Sequence, residues 1–241
     1  MMWQPAEITK QVKHLWCSDR RWRFTAAAAL ACMPLILLAV YLASYPFSDE
    51  ITRKTVSTSG LSPAQRSNIE LAAQAIDGTV LCPGQVFSFN RTVGPRLEKR
   101  GYRSAPSYLG PESPATIGGG VCLVSSEIYQ LALATGCEIL ERNPHLRTIK
   151  SVPPGLDATV WYGRSDLKFR NTLNVPVLLK TSSTAGTITV AMMGRRPEKF
   201  ELAQVNRFIG RHNAREVVVE VMRKTGDQES MVSRDHYVIT Q

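Results

Sequence analysis

The sequence contains none of the short motifs that mark common metal and nucleotide sites. It has no Cys-x-x-Cys pair and no His-Glu-x-x-His segment, and its one glycine run lacks the lysine of a phosphate-binding loop. Five cysteines among 241 residues are too few for a disulfide-stapled miniprotein. We therefore expect no bound metal and no cofactor, and any catalysis should come from the protein's own side chains.

A long uncharged segment near the N-terminus predicts a membrane anchor. Residues 24–43 carry no charge, and about 20 apolar residues suffice to cross a bilayer as a helix. Residues 1–23 contain five basic and two acidic residues, so they are expected to form a cytoplasmic head, with the rest of the chain outside the cytoplasm. A cleaved signal peptide is the alternative, although its apolar region is usually only about 7–15 residues long.

The composition predicts a folded domain after this segment. Hydrophobic residues make up 44% of the chain and charged residues 20%, which excludes a wholly disordered protein. The formal charge of +9 suits anionic surroundings, such as a membrane surface or a wall polymer. Nucleic acid has only this charge in its favour and is not expected to be a partner of an exported domain.

The pattern of the remaining chain predicts an α+β fold, with a few helices packed on a mostly antiparallel sheet. Residues 44–62 are polar and are expected to be a linker, followed by a domain over 63–197 and a C-terminal β-hairpin extension over 198–241. Ser62 and Gln65 form a capping-box pattern for a first helix. Strands are expected around residues 86–89, 139–140, 160–162, 177–179 and 188–190, and the hairpin at 217–222 and 236–239.

Cys122 is the candidate nucleophile, because it follows Gly118, Gly119 and Gly120 at the predicted start of a second helix. The positive end of a helix stabilises a thiolate, and glycines allow close backbone approach to a substrate. The alternative is a small buried cysteine beside a tight turn. Cys82 and Cys137 are possible disulfide partners, and spacing alone leaves that pairing open.

A cysteine nucleophile needs a base, and His145 lies 23 residues after Cys122, where the chain returns from the helix. Asp157 follows as a residue able to orient the imidazole. A surface histidine and a turn-capping aspartate are the alternatives. If Cys122 and His145 meet in an open cleft, catalysis is favoured; if they lie apart, a binding module or a structural anchor is favoured.

Several segments resemble the VanW family: residues 83–90, 93–96, 118–122, 124–126, 152–160 and 166–171. The resemblance implies an envelope-facing domain. Some members are similar in activity to L,D-transpeptidases, which implies that Cys122, with His145, forms an acyl-enzyme with peptidoglycan stem peptides. We expect Gly118–Gly120, Ser125 and Ser126 to contact such a substrate. A non-catalytic module that binds wall polymer or a protein partner is the alternative function, and the oligomeric state is left open.

Overall fold

The computed structural model describes residues 32–38, 40, 41, 47–107, 115–184, 186–198 and 200–239. Residues 32–38, 40 and 41 are helical, and most of the predicted anchor over 24–43 lies outside the described residues. No helix in the described ranges is both long and apolar enough to span a membrane.

Pro46–Gln241 forms one compact unit, built from two main helices, two shorter helical segments and twelve strands within its described residues. The helices are α1 (Pro63–Ile76), α2 (Phe89–Val93), a 3-10 turn (Glu98–Arg100) and α3 (Cys122–Ala134). The strands are β1 (Asp49–Ser57), β2 (Thr79–Leu81), β3 (Val86–Ser88), β4 (Ser104–Ala105), β5 (Thr116–Ile117), β6 (Glu138–Glu141), β7 (Lys168–Arg170), β8 (Val177–Thr184), β9 (Thr187–Gly194), β10 (Gln204–Arg211), β11 (Glu216–Thr225) and β12 (Gln228–Val238).

All the strand pairings between these elements are antiparallel, which confirms the α+β fold with antiparallel sheets. One sheet has the order β1-β9-β8-β2, and two three-stranded sheets have the orders β3-β7-β6 and β10-β11-β12. The short strands β4 and β5 form a separate pair. Helix α3 packs against β1, β9 and α1, so the helix that begins at Cys122 lies in the centre of the core.

Helix α1 begins as the sequence predicts. The Ser62 hydroxyl accepts a hydrogen bond from the Gln65 backbone N–H, and the Gln65 side chain accepts one from the Ser62 N–H. These reciprocal bonds satisfy donors that the first helical turn leaves open. The apolar face of α1, with Ile69 and Ile76 fully buried, then faces the core.

The expected linker is wrong at residues 49–57, because they form β1 and pair with β9 along its length. Ile51 is buried while the polar residues alternate outward, which makes β1 a half-buried edge strand. The expected strand at 160–162 is also wrong. Trp161 forms only an isolated bridge to Ser165, closing a turn at Gly163.

The C-terminal hairpin pairs as expected, with Val217 opposite Tyr237 and Gly226 in the turn. It is, however, part of a three-stranded sheet, because β10 adds to β11. The end of β12 also runs beside the segment after His145. There the Val238 N–H donates to the Leu146 carbonyl at 3.0 Å.

Candidate active site

The glycine run forms a tight turn that places Cys122 at the first residue of α3. Gly118 and Gly120 have φ angles of +87° and +99°, in the region that favours glycine. Gly119 packs so closely that a Cβ there would overlap the carbonyl oxygens of Ala105 and Pro106. The turn therefore requires glycine at all three positions, for a positive φ at two of them and for close packing at the third.

Helix α1 holds this turn from behind. The Asn68 side-chain amide is fully buried and donates to the carbonyls of Arg103 and Gly119, both at 2.9 Å. Its oxygen accepts from the Arg103 N–H at 2.8 Å. One asparagine thus ties the glycine turn to the neighbouring loop and fixes where α3 begins.

The structure brings His145 and Asp157 together beside Cys122. His145 Nδ1 lies 2.6 Å from Asp157 Oδ2, and the His145 backbone N–H donates to the same oxygen at 2.7 Å. The Cys122 side chain lies close enough to raise the pKa of the imidazole, and its thiol donates to the Val160 carbonyl at 3.8 Å. Cys122 is partly exposed, whereas His145 and Asp157 are 3% and 1% exposed. The three residues therefore run from an accessible sulfur to a buried carboxylate.

Asp157 is held by two residues that the sequence analysis missed. The Tyr237 hydroxyl donates to Asp157 Oδ1 at 2.6 Å, and Arg142 Nη2 donates to the same oxygen at 2.9 Å. Arg142 Nε also donates to the Asp157 carbonyl at 2.6 Å, and its Nη1 pairs with Asp235. Gly155 adds a bond from its N–H to the Tyr237 hydroxyl at 2.8 Å. Asp157 is thus fixed partly by β12.

These contacts set the charges of the site. Burial would raise the pKa of Asp157, but the hydrogen bond from His145, the charge of Arg142 and the bond from Tyr237 lower it to about 2. Burial would lower the pKa of His145, but its hydrogen bonds to Asp157 and Cys122 and their negative charges raise it to about 9. Burial raises the pKa of Tyr237, so its hydroxyl keeps the proton that it donates to Asp157.

Cys122 and His145 line an open cleft of about 390 Å³. The glycine turn forms one side of the cleft, and Trp161 and Tyr162, both well exposed, lie on another. Arg96 also lines it, as the cationic residue of the wall. The sequence analysis included Arg96 in segment 93–96, which resembles the family, but assigned it no role. Gly118–Gly120 border the cleft, as expected for residues near a substrate.

Ser125 and Ser126 are placed elsewhere than expected. Both are fully buried. The Ser125 hydroxyl donates to the Ala158 carbonyl at 2.7 Å, and the Ser126 hydroxyl accepts from the Ala158 N–H at 2.9 Å. Neither side chain lines the cleft, and contact with a substrate stays a prediction. The two serines join α3 to the segment that follows Asp157.

Cys82 and Cys137 are both free, with Cys82 exposed and Cys137 buried. The disulfide that the sequence left open is therefore not formed in this structure.

Comparison with known proteins places this site within a matched region. The model of the family described as VanW like protein matches residues 64–193, more than half of the chain. The chain is 40% identical over 125 residues to the uncharacterized protein YoaR of Bacillus subtilis (strain 168), covering 52% of this chain and 41% of that protein. It is 32% identical over 111 residues to the Vancomycin B-type resistance protein VanW of Enterococcus faecalis (strain ATCC 700802 / V583), covering 43% of this chain and 40% of that protein.

The chain therefore spans about two fifths of the length of the curated relatives that it matches. No solved structure matches it. The matched region contains the glycine turn, Cys122, His145 and Asp157, whereas Tyr237 and Asp235 lie beyond it. Because the family model covers more than half of the residues, the chain belongs to the VanW-like family.

Proposed function

We propose that this protein is a cysteine acyltransferase that acts on peptidoglycan stem peptides, in the manner of an L,D-transpeptidase. The observation that supports it most is that a partly exposed Cys122 and His145 line the same open cleft, while the buried, charged Asp157 holds His145 from behind at 2.6 Å. A nucleophile, a base and a residue that orients the base are the parts that covalent acyl transfer requires. Resemblance to the family supports stem peptides as the substrate.

The charge state of the pair suits this chemistry. With a pKa of about 9, the His145 imidazole holds a proton at neutral pH and presents a cation to the Cys122 sulfur. A neighbouring imidazolium favours the thiolate, which is the reactive form of cysteine. Asp157, ionised at all physiological pH values, holds the imidazole through Nδ1 and leaves Nε2 for the sulfur and the substrate.

The reaction would proceed in two balanced steps. The Cys122 thiolate attacks the carbonyl carbon of the donor amide, a sulfur–carbon bond forms, and the carbon–nitrogen bond breaks as His145 protonates the leaving amine. An acceptor amine then attacks the thioester, loses its proton to His145 and expels the thiolate. Water as the acceptor would give hydrolysis from the same intermediate.

The helix start offers donors for the oxyanion of each step. Among the described residues, the backbone N–H groups of Gly120 and Cys122 have no hydrogen-bond acceptor, and both residues line the cleft. They stand at the positive end of α3, where backbone donors are free to bind an anion. Preorganised N–H donors of this kind contribute strongly to acyl transfer.

We further propose that residues 24–43 anchor the protein in the cell membrane and that the domain faces the envelope outside the cytoplasm. Support comes from the uncharged run, from the five basic residues that precede it, and from the excess of basic residues that suits an anionic wall. The name of the enterococcal relative connects that protein with vancomycin resistance, which is consistent with an envelope role.

The test is to incubate the full chain in detergent with tetrapeptide stem donors and to measure its intact mass. An acyl-enzyme adds the mass of the donor minus the leaving amino acid, and digestion should place it on Cys122. Cys122→Ser should abolish a thioester, whereas Cys82→Ser should not change it, because Cys82 is exposed but does not line the cleft. His145→Gln should slow its formation by about a hundredfold or more.

An adduct that persists in Cys122→Ser, or the absence of any adduct while the donor still binds, would refute catalysis. Saturable donor binding without an adduct would instead support the non-catalytic wall-binding module.

A further inference from the structure

The wall of the cleft contains an arginine that no carboxylate contacts directly within the described residues. The charge of Asp166 acts on it, but that carboxylate accepts hydrogen bonds from the Ser88 hydroxyl and the Asn90 N–H. Arg96 lines the cleft together with Cys122, and among the described residues it makes no ion pair with a carboxylate. Its Nη2 is buried and has no hydrogen-bond partner within the described part of the chain. A buried guanidinium nitrogen without an acceptor carries an unmet desolvation cost, so such groups are rare unless a ligand or water completes them.

Several contacts hold the Arg96 side chain in place. Its Nη1 donates to Asn90 Oδ1 at 2.7 Å and to the Gly94 carbonyl at 2.9 Å. The guanidinium lies over the ring of Phe89, 5.6 Å from the centroid. These contacts fix Nη1 and leave Nη2 without a partner among the described residues, in a side chain that is partly exposed and lines the cleft.

The glycine turn makes room for this side chain. Gly118 has a φ of +87°, and a Cβ at that position would lie 2.8 Å from Cβ and Cγ of Arg96. The turn that presents Cys122 therefore also admits the stem of Arg96 to the cleft wall. Burial lowers the pKa of the Arg96 guanidinium, and the nearby acidic groups of Cys122, Tyr102 and Asp166 oppose this effect.

A second polar atom without a partner borders the same cleft. The Ser107 hydroxyl is buried and, among the described residues, has no hydrogen-bond partner. A cation and a hydroxyl with unused capacity at one cleft match an anion that carries more than one acceptor oxygen. A carboxylate has this shape, and arginine pairs with it through parallel hydrogen bonds.

From this geometry we infer that Arg96 recognises a carboxylate of the acyl donor, so that the cleft selects peptides whose scissile amide lies next to a free C-terminal carboxylate. The inference rests on the proposed acyl transfer for its substrate and names the class of donor: a peptide cleaved at its last residue. Arg96 would then be a specificity-determining residue, which binds the leaving amino acid while Cys122 takes the acyl group.

The first experiment needs no substrate. The full chain is alkylated with iodoacetate, which is anionic, and with iodoacetamide, its neutral analogue, and modification of Cys122 is followed by mass spectrometry of its peptide. The rate with iodoacetate divided by the rate with iodoacetamide should fall about tenfold in Arg96→Gln. It should fall less in Arg96→Lys, which keeps the charge but not the planar guanidinium. Because both reagents attack the same sulfur, general losses of reactivity cancel in the ratio.

The matched control is Arg100→Gln, which removes the same charge from the same loop but does not line the cleft. An unchanged ratio in Arg96→Gln, or an equal fall in Arg100→Gln, would overturn the assignment. If Arg96→Gln does not fold, Arg96→Lys takes its place. An unchanged ratio of iodoacetate to iodoacetamide rates in Arg96→Lys would then count against a role of the planar guanidinium.

The second experiment compares tetrapeptide donors that end in a carboxylate or in an amide. The wild-type chain should form its acyl-enzyme at least about tenfold faster from the carboxylate, and Arg96→Gln should lose that preference. Equal acylation from both donors would refute carboxylate recognition while leaving acyl transfer intact. A shifted alkylation ratio without acylation by either donor would refute acyl transfer while leaving Arg96 as an anion site.

Discussion

Tyr237 lies beyond residues 64–193, the region matched by the family model, yet its hydroxyl bonds to Asp157 in the site. Removing that hydroxyl tests whether this contact stabilises the site. The hydroxyl donates to Asp157 Oδ1 at 2.6 Å and accepts from the Gly155 N–H at 2.8 Å and from Arg142 Nη2 at 3.0 Å. The residue is 2% exposed, so water cannot replace the lost group without rearrangement. Tyr237→Phe keeps the ring in the core and removes only these three bonds.

The expected loss of unfolding free energy is about 2 kcal/mol. A buried donor left without an acceptor costs about 1–3 kcal/mol, and the Gly155 N–H would be such a donor. Asp157 would keep Arg142 and His145 as donors, so it should remain ionised but less well oriented. If His145 loses about 1 kcal/mol of positioning, alkylation of Cys122 should slow about fivefold.

The assay is urea unfolding of the wild type, of Tyr237→Phe and of a control variant. Equal dependence of the unfolding free energy on urea concentration would show that all three undergo the same transition. The control is Tyr162→Phe, which makes the same change on a side chain that is 52% exposed and lies outside the hydrogen bonds to Asp157. That change should be neutral. If Tyr237→Phe costs no more than Tyr162→Phe, the network around Asp157 does not stabilise the fold as described.

Three further predictions follow from the turn, the imidazole and the basic head. Gly119→Ala should lower the unfolding free energy by about 1–3 kcal/mol, because its Cβ would overlap two carbonyl oxygens. Gly60→Ala should not, because a Cβ there meets nothing within 4 Å. Equal effects of the two changes would refute the close-packing argument. The pKa of His145 is raised from 6.5 to about 9, so its stabilisation is complete below about pH 6.5 and is lost as pH rises through 9; urea unfolding at pH 6 and pH 9.5 should show this loss in the wild type and not in His145→Gln. In intact cells, a membrane-impermeant maleimide should label a single cysteine introduced as Ser59→Cys but not the native Cys17, and the reverse pattern would contradict the proposed topology.

Local signals predicted the two main helices and the position of Cys122 at the start of the second one. Ser62 and Gln65 cap α1 through bonds three residues apart, and the glycines before Cys122 are required by the backbone of one turn. Such features depend on neighbours in sequence, so the amino-acid order is sufficient to predict them. The pairing of Cys122 with His145 was predictable only as a hypothesis, because it depends on the path by which the chain returns.

Features that depend on distant partners were missed or misread. The segment that forms β1 is rich in polar residues, and it becomes a strand because it pairs with β9, more than 130 residues later. Trp161 belongs to a residue type common in strands but serves as a wall of the cleft. Arg142 and Tyr237 are 95 residues apart and meet only because β12 returns to the site. Nothing in the local sequence of a tyrosine on a strand indicates that its hydroxyl will hold a carboxylate.

Because β12 returns to the site, residues of the C-terminal sheet also influence the surroundings of Cys122. Asp235 and Tyr237, which steady Arg142 and Asp157, follow the end of the region shared with the family at residue 193. Two relatives can therefore agree at every residue of that region and still differ in how firmly the imidazole is held. Exchange of the C-terminal sheet would therefore change how firmly the imidazole is held while leaving the cysteine, histidine and aspartate untouched.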